Sequence, residues 1–559
     1  MTDLEANLIG RVAVGDILRR SSHRYPHKIA VVQHRQGQEK SVRLSYEELN
    51  KLANRFAMAL RQLGVGQGAR VAAMCGNSVE FVIMLFGCAK GGYVLVPMNP
   101  MLRPDDAAVI LNHADVTVLI SDDVEKAREL YRLMGRTRKK FFVIGTFPVN
   151  GISDGICPWE QFLDRGSQEE VDDVAIYDRD IYQIQYTSGA TAIPKGVMTS
   201  HLAVVMASLN ELVEMGTRSD AVVSIVLPMF HAGQQCQVFS TIMAGGTLVL
   251  VRGFEPCALL ELIERERITK ILLLPMMYRA LLDSAELDYY DLTSLTTCVY
   301  GMAPMDQRTL QDGKTRLGAE FILGSGQTEA YPPSNVLPAW WTGVKSGNYW
   351  GVSTTLYDTA IMADDGVLLP NGDVGEIVWR SPMIMEGYFQ DSKATEESRR
   401  FGWHHSGDLG YFDEDGLLVF VDRKKDMIKS GGENVSSLKI EQALLGHPGI
   451  QAVAVVGLPH AHWHEAVTAF VVPREENAPE VHELLDALRH QLSPYEVPKA
   501  VIFVNQLPRT TTGKIQKHRL RELYHAYYRD HDSETGKTGH NGTASGRVTL
   551  ASKDVDNDT

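Results

Sequence analysis

The chain has 559 residues, a net charge of −14, and 44% hydrophobic against 22% charged residues; that length exceeds one hydrophobic core and predicts at least two domains of a globular protein. The acidic balance leaves no electrostatic footprint for nucleic acid, and no Lys/Arg block is long enough to suit an anionic membrane surface. No stretch approaches the ~20 uninterrupted apolar residues of a transmembrane segment.

In chain order, residues 1–10 carry Asp3 and Glu5 without a long apolar run and do not read as a secretory leader, so the expected localisation is cytoplasmic. Short apolar runs then alternate with amphipathic stretches. Residues 71–74 read as a strand, 80–90 as a helix, 91–97 as a strand, 105–113 as a helix and 116–120 as a strand. This alternation predicts α/β layering with largely parallel strands. An apolar run at 181–186 leads into Thr187-Ser-Gly-Ala-Thr-Ala-Ile-Pro-Lys195-Gly196, ahead of a predicted helix near Ser200. Such a loop turns backbone N–H groups and hydroxyls toward a phosphate, and Lys195 adds a point charge. It is not a Walker A loop, which needs Gly-Lys-Ser/Thr; here Pro194 precedes Lys195 and Gly196 follows it.

A second helix–strand round spans 258–267 and 270–275. After Trp350 the texture changes to short strands at 359–362, 375–380 and 417–421 split by Asp/Gly turns, which predicts a β subdomain. Asp422-Arg-Lys-Lys-Asp426 packs five charges together, suited to a solvated turn or a hinge. Beyond it, helices at 437–445 and 480–492 and strands at 452–456 and 467–472 form a small α/β domain ending near Tyr524. From Asp530 onward small polar residues dominate and predict a disordered tail. The expected domains are 1–421, 422–529 and the tail 530–559.

Six cysteines (Cys75, Cys88, Cys157, Cys236, Cys257, Cys298) show no Cys-x-x-Cys pair and read as reduced core thiols. Gly151-Ile-Ser-Asp-Gly155 matches the hydrolase pattern G-x-S-x-G but sits among turn formers without the strand-to-helix context. His460-Ala-His-Trp-His464-Glu465 reads as a polar loop rather than a metal tract.

Downstream of the Thr187–Lys195 loop lie Gly301-Met-Ala-Pro-Met305, Gly324-Ser-Gly-Gln-Thr-Glu329, Ser406-Gly-Asp408, Asp422-Arg-Lys-Lys-Asp426, Gly431-Gly-Glu-Asn-Val435 and Pro508-Arg-Thr-Thr-Thr-Gly-Lys514. In order and spacing this series resembles the adenylate-forming superfamily, which contains acyl- and aryl-CoA synthetases, peptide-synthetase adenylation domains and luciferases. The resemblance runs from about Tyr46 to about Leu523. It implies an α/β fold with a large N-terminal domain of layered α/β subdomains plus a β subdomain, and a small mobile α/β C-terminal domain. It also implies the reaction: a carboxylate attacks the α-phosphate of ATP, pyrophosphate leaves, and the thiol of coenzyme A then displaces AMP. ATP, Mg²⁺ and coenzyme A are the implied co-reactants.

The same resemblance assigns roles residue by residue. Thr187, Ser188, Gly189, Thr191 and Lys195 handle the β- and γ-phosphates. Thr328 contacts the α-phosphate and Glu329 holds Mg²⁺. Asp408 takes the ribose hydroxyls and Arg423 also reaches the nucleotide. Gly301, Ala303, Pro304, Gly326 and Gln327 border it, and Lys514 bridges substrate carboxylate and nucleotide. His231, Met302 and Ala330 line the acyl pocket, Lys425 falls at the hinge, and Gly431 and Gly432 line the pantetheine tunnel. The sequence departs from the family pattern at Ala190 (usually Thr), Ala192 (commonly Gly), Ser325 (usually aromatic), Met302 (commonly Gly) and His464 (often Gly).

Within the family, Leu227-Pro-Met-Phe-His231 resembles fatty- and aryl-CoA synthetases; amino-acid-activating relatives place Asp where His231 stands. The candidate pocket segments supply aromatic, Met and small residues and no carboxylate. A buried ammonium without a counter-charge costs several kcal/mol, so zwitterions are disfavoured. The expected substrate is a hydrophobic carboxylic acid, a medium- or long-chain fatty acid first. The alternatives are an aryl acid, or loading of a carrier protein. A non-catalytic relative that only binds ligand is argued against by Lys514, Glu329 and Asp408.

Overall fold

The helix Val79–Gly91 is apolar around nearly its whole circumference, and such a helix has no solvent face to offer. It is buried in one core with the helices Val14–Arg24, His201–Glu214 and Ala232–Ala244 and with strands of two different sheets. The computed structural model describes residues 1–34, 41–135, 141–146, 155–187, 194–301, 305–345, 347–474, 478–509 and 515–529. The expected tail and the Gly151-Ile-Ser-Asp segment lie outside the described residues.

One sheet has eight strands. Its parallel part runs through Ile181–Thr187, Val94–Pro97, Arg70–Met74, Val116–Ser121, Phe142–Gly145 and Ile156–Pro158. These strands are covered on both faces, hence their continuous apolar runs. At one edge Ile181–Thr187 pairs antiparallel with Lys195–Ser200, and the two-residue strand Gly387–Tyr388 adds outside that. The Ser200 hydroxyl accepts from the Ala203 N–H and starts the helix His201–Glu214 where the sequence places it.

Among the described residues the second sheet has thirteen strands, as the first has eight. Val222–Ile225, Thr247–Leu250, Lys270–Leu273, Thr297–Tyr300 and Glu320–Gln327 are parallel neighbours or near neighbours. From Glu320–Gln327 onward the pairing turns antiparallel, first with Ala330–Leu337. The strands expected after Trp350 are present: Asp358–Met362, Gly375–Arg380, His404–Phe412 and Leu418–Arg423 form an antiparallel set. They join the sheet through Tyr349–Ser353, which bonds both to Ala330–Leu337 and to Leu418–Arg423.

A separate five-stranded sheet holds Ile428–Ser430, Glu433–Val435, Ile450–His460, His464–Pro473 and Ala500–Phe503. Side chains alternate across a strand, and here the two faces build two cores. Val453 and Val455 pack with Ile440 and Leu444 of the helix Ser437–Leu445 and with Leu484 and Leu488 of the helix Val481–Arg489. Ala454 and Val456 pack with Leu520 of the helix Lys517–Leu523. The molecule is thus a large N-terminal α/β assembly followed by a small C-terminal α/β unit. The polar tract at 460–464 is the turn between two long strands rather than a free loop.

Candidate active site

The loop between Thr187 and Lys195 is closed at its base by strand pairing: the two residues face each other across the antiparallel pair. Both are half-buried. Ser188, Gly189 and Thr191, and the departures Ala190 and Ala192, lie outside the described residues. Lys195 is held over the ring of Tyr388, with Nζ 4.7 Å from the ring centroid.

Thr328 and Glu329 form the two-residue turn between Glu320–Gln327 and Ala330–Leu337, since Gln327 pairs with Ala330. A tight hairpin presents its turn residues at the sheet's end, and both side chains are half-buried there. The Tyr388 hydroxyl donates to Glu329 Oε1 at 3.0 Å, and the Met385 N–H donates to the Glu329 carbonyl at 2.8 Å. The Gly387–Tyr388 strand therefore ties the Thr-Glu turn to the strand that carries Lys195. Burial and the neighbouring Glu329 carboxylate push the Tyr388 phenol well above its ordinary range.

Before the turn, Gly326 is exposed, and the Gln327 side-chain amide reaches His404 Nε2 at 3.4 Å. The His404 ring stacks on Trp379. Burial, with a lesser push from the neighbouring His405 and Arg399, lowers its pKa to about 3, so the ring is neutral. His404 begins the strand that carries Asp408, and the same contact fixes that strand beside the Thr-Glu turn. Asp408 is buried and pairs in register with exposed Arg423 on the neighbouring strand; Arg423 Nε lies 3.6 Å from Asp408 Oδ1. A carboxylate has two oxygens, enough to receive a pair of vicinal hydroxyls. Ser325 directs its hydroxyl to the Asn335 carbonyl, leaving no ring at that position.

Gly301 follows the strand Thr297–Tyr300, and a Cβ there would come within 2.5 Å of the Gly324 carbonyl oxygen. Two backbones pass so closely that only glycine fits. Met302, Ala303 and Pro304 lie outside the described residues. His231 caps the helix Ala232–Ala244 by backbone geometry and packs against Phe230. Ala330 is fully buried and bridges to Ile384. Buried Tyr331 donates its hydroxyl to Gln235 on the helix that His231 begins.

In the C-terminal unit, Gly431 and Gly432 occupy the turn between Ile428–Ser430 and Glu433–Val435, both at positive φ and exposed. The Gly431 N–H donates to the Trp463 carbonyl at 2.9 Å, and a Cβ on Gly431 would sit 3.0 Å from the indole. Lys425 is exposed in the turn after Arg423. Lys514 lies outside the described residues, but its flanks are fixed. Arg509 bridges Ile515, and the Gln516 N–H donates to the Pro508 carbonyl at 2.8 Å. Lys517 pairs with Glu441 at 2.8 Å and donates to Ser437 Oγ at 2.7 Å.

The structure thus brings Lys195 and Glu329 together on Tyr388, pairs Asp408 with Arg423, and links the two groups through Gln327 and His404. Among the described residues no group of three or more His, Cys, Asp or Glu forms a metal cage. Glu329 offers one hard carboxylate with Oε2 unengaged by any described group, which fits Mg²⁺ held jointly with substrate phosphates. Sequence reasoning missed Tyr388 and Trp463. Tyr388 lies in Gly387-Tyr-Phe, whose position between the Thr-Glu and Ser-Gly-Asp segments was the available signal. Trp463 was absorbed into a tract read for its histidines.

Comparison with known proteins agrees along the chain. The AMP-binding enzyme family matches residues 18–389, and the AMP-binding enzyme C-terminal domain matches 439–514. A feruloyl-CoA synthase from Amycolatopsis sp is 35% identical over 484 residues, 86% of this chain and 94% of that protein. A long-chain-fatty-acid–CoA ligase from Thermus thermophilus is 33% identical over 546 residues, covering 94% and 97%. The crystal structure of ATP-bound MatB from Rhodopseudomonas palustris superposes with a TM-score of 0.82 at 27% identity, covering 92% of this chain and 99% of that one.

Proposed function

Because the chain belongs to the AMP-binding enzyme family, we propose that it is an AMP-forming ligase that joins a hydrophobic carboxylic acid to coenzyme A. The observation that carries the reading is the meeting of Lys195 and Glu329, from distant parts of the sequence, on one tyrosine ring. An ammonium and a carboxylate with a free oxygen, held on one side chain, suit a triphosphate carrying its metal. In this reading the acid's carboxylate attacks the α-phosphorus of ATP, the α–β bridging P–O bond breaks, and pyrophosphate leaves. Thr187 and Lys195 hold the β- and γ-phosphates, Thr328 the α-phosphate, and Asp408 with Arg423 the ribose side. Mg²⁺ on Glu329 would neutralise phosphate charge. Lys514 places a cation between the entering carboxylate and the nucleotide, stabilising charge that develops in the transition state. The CoA thiol then displaces AMP, with Gly431 and Gly432 beside the pantetheine and Lys425 at the hinge between units 1–421 and 422–529.

The acid is proposed to be a fatty acid of medium or long chain. Phe230 packs against the core that holds Ala330 and Tyr331, an apolar setting beside His231, and the likeness to the Thermus thermophilus ligase supports this choice. An aryl acid is the second reading, favoured by the likeness to feruloyl-CoA synthase. The test is a panel of fatty acids, benzoates, cinnamates and amino acids, following pyrophosphate and AMP with and without CoA. Fatty acids are expected to give the highest kcat/KM. An aromatic preference corrects the pocket alone, and an amino-acid preference overturns the substrate claim. Lys514→Ala is expected to abolish pyrophosphate release while thioester formation from supplied acyl-adenylate survives; normal pyrophosphate release would sink the role given to Lys514.

A further inference from the structure

We propose that Tyr388 is a positioning residue that keeps the Glu329 carboxylate and the Lys195 ammonium apart and aimed. The proposal rests on the reading of Glu329 as metal ligand and Lys195 as phosphate contact. Opposite charges gathered on one side chain in a half-buried site attract, and a direct pair would consume both. Among the described residues no ion pair joins them, because the Tyr388 side chain stands between. Its hydroxyl donates to Glu329 Oε1 at 3.0 Å, while its ring face receives Lys195 Nζ at 4.7 Å from the centroid. The ring gives the ammonium an electrostatic partner that carries no net charge. The hydroxyl orients the carboxylate through one oxygen and leaves Oε2 for a metal.

The backbone makes this placement specific. Tyr388 pairs with Val197, two residues beyond Lys195, and its N–H donates to Thr395 Oγ1 at 2.9 Å. Phe389 N–H donates to the Gly196 carbonyl at 2.7 Å, and Met385 N–H to the Glu329 carbonyl at 2.8 Å. The segment is therefore stitched on one side to the lysine's strand and on the other to the glutamate's turn.

Tyr388→Phe removes the hydroxyl and keeps the ring; Tyr388→Leu removes both. Mn²⁺, visible by electron paramagnetic resonance, serves as the metal probe, with a non-cleavable α,β-methylene ATP analogue as nucleotide. Tyr388→Phe is expected to weaken Mn²⁺ binding to the enzyme–analogue complex about tenfold, the size of one hydrogen bond to a charged group. The Mg²⁺ concentration for half-maximal pyrophosphate release should rise in parallel, with metal-free analogue affinity unchanged. Tyr388→Leu is expected to weaken metal-free analogue binding as well, by about threefold or more. In both variants the melting temperature and thioester formation from supplied acyl-adenylate should stay near wild type, which a merely structural role would not allow. Wild-type Mn²⁺ affinity in Tyr388→Phe, alongside a loss in Glu329→Gln, overturns the role of Tyr388 alone. Unchanged Mn²⁺ affinity in Glu329→Gln overturns the metal reading on which the proposal stands.

Discussion

At the scale of single residues, His464 is in a conformation that its side chain resists. Its φ is +64°, in the left-handed region that favours glycine. The strand pair Ile450–His460 and His464–Pro473 needs that backbone to close its turn, so a side chain there carries a strain cost. His464→Gly is expected to raise stability by up to ~1 kcal/mol, read as a higher denaturant midpoint at constant m-value. A lower midpoint would mean that the imidazole makes a contact outweighing the strain. Asp422 shows the opposite economy: one buried carboxylate serves two elements. Its Oδ2 accepts from the Ser437 N–H at 2.7 Å and the Ser437 hydroxyl at 2.6 Å, satisfying donors that the start of the helix Ser437–Leu445 would leave open. Its Oδ1 accepts from the Arg423 N–H at 2.7 Å.

At the scale of elements, that contact places the helix Ser437–Leu445 directly against the end of the strand Leu418–Arg423. Ser436 adds a bond from its hydroxyl to the Val421 carbonyl at 2.8 Å, and Gln442 bonds Asn348 across the same boundary at 2.6 Å. A rotation of the C-terminal unit about Lys425 would have to exchange these polar contacts for others, which suits a hinge better than an apolar interface does. Two variants test the hinge and the tunnel separately. Lys425→Pro fixes φ in the exposed turn, and Gly432→Leu puts a branched side chain on a loop whose φ of +90° favours glycine. Each is expected to make acyl-adenylate at a rate near wild type and to transfer it to CoA at least tenfold more slowly, a loss of ~1.4 kcal/mol or more in that step. Equal losses in both half-reactions, measured by single-turnover pyrophosphate and thioester formation, would refute the two-conformation reading.

At the scale of the whole molecule, two buried neutral histidines set a response to acid. His201 sits in the large central core, where Nδ1 accepts from the Val14 N–H at 3.2 Å; burial, then the nearby Arg11, lowers its pKa to about 3. His404 is depressed to about 3 in the same direction by burial. A base with a folded pKa below its unfolded value of about 6.5 binds fewer protons when folded, so stability rises with pH across that interval. Stability is expected to be intact above about pH 6.5 and to fall progressively toward pH 3, by up to ~4 kcal/mol for each histidine. Urea midpoints between pH 7 and pH 4 check this. His201→Gln and His404→Gln should each flatten the slope, and a slope unchanged in both would assign the acid response to carboxylates instead.

The sequence by itself determined the alternation of strands and helices, the extent of the helix Ser437–Leu445, a helix start near Ser200, and the ordered motifs that place Lys195, Glu329, Asp408 and Arg423 in one family. Those signals are local: apolar periodicity, and small residues where backbones must turn. Only the tertiary structure decided which distant segments meet. Gly301 is explained by the Gly324 carbonyl on the adjacent strand, and His404 matters because Gln327 reaches it from another hairpin. Tyr388 shows no periodicity and sits in a two-residue strand, the least legible kind of element, yet it joins the lysine to the glutamate. Periodicity reports which face of an element is buried. It carries no information about what that face is buried against, and that pairing is fixed only when the sheets close around their shared helices.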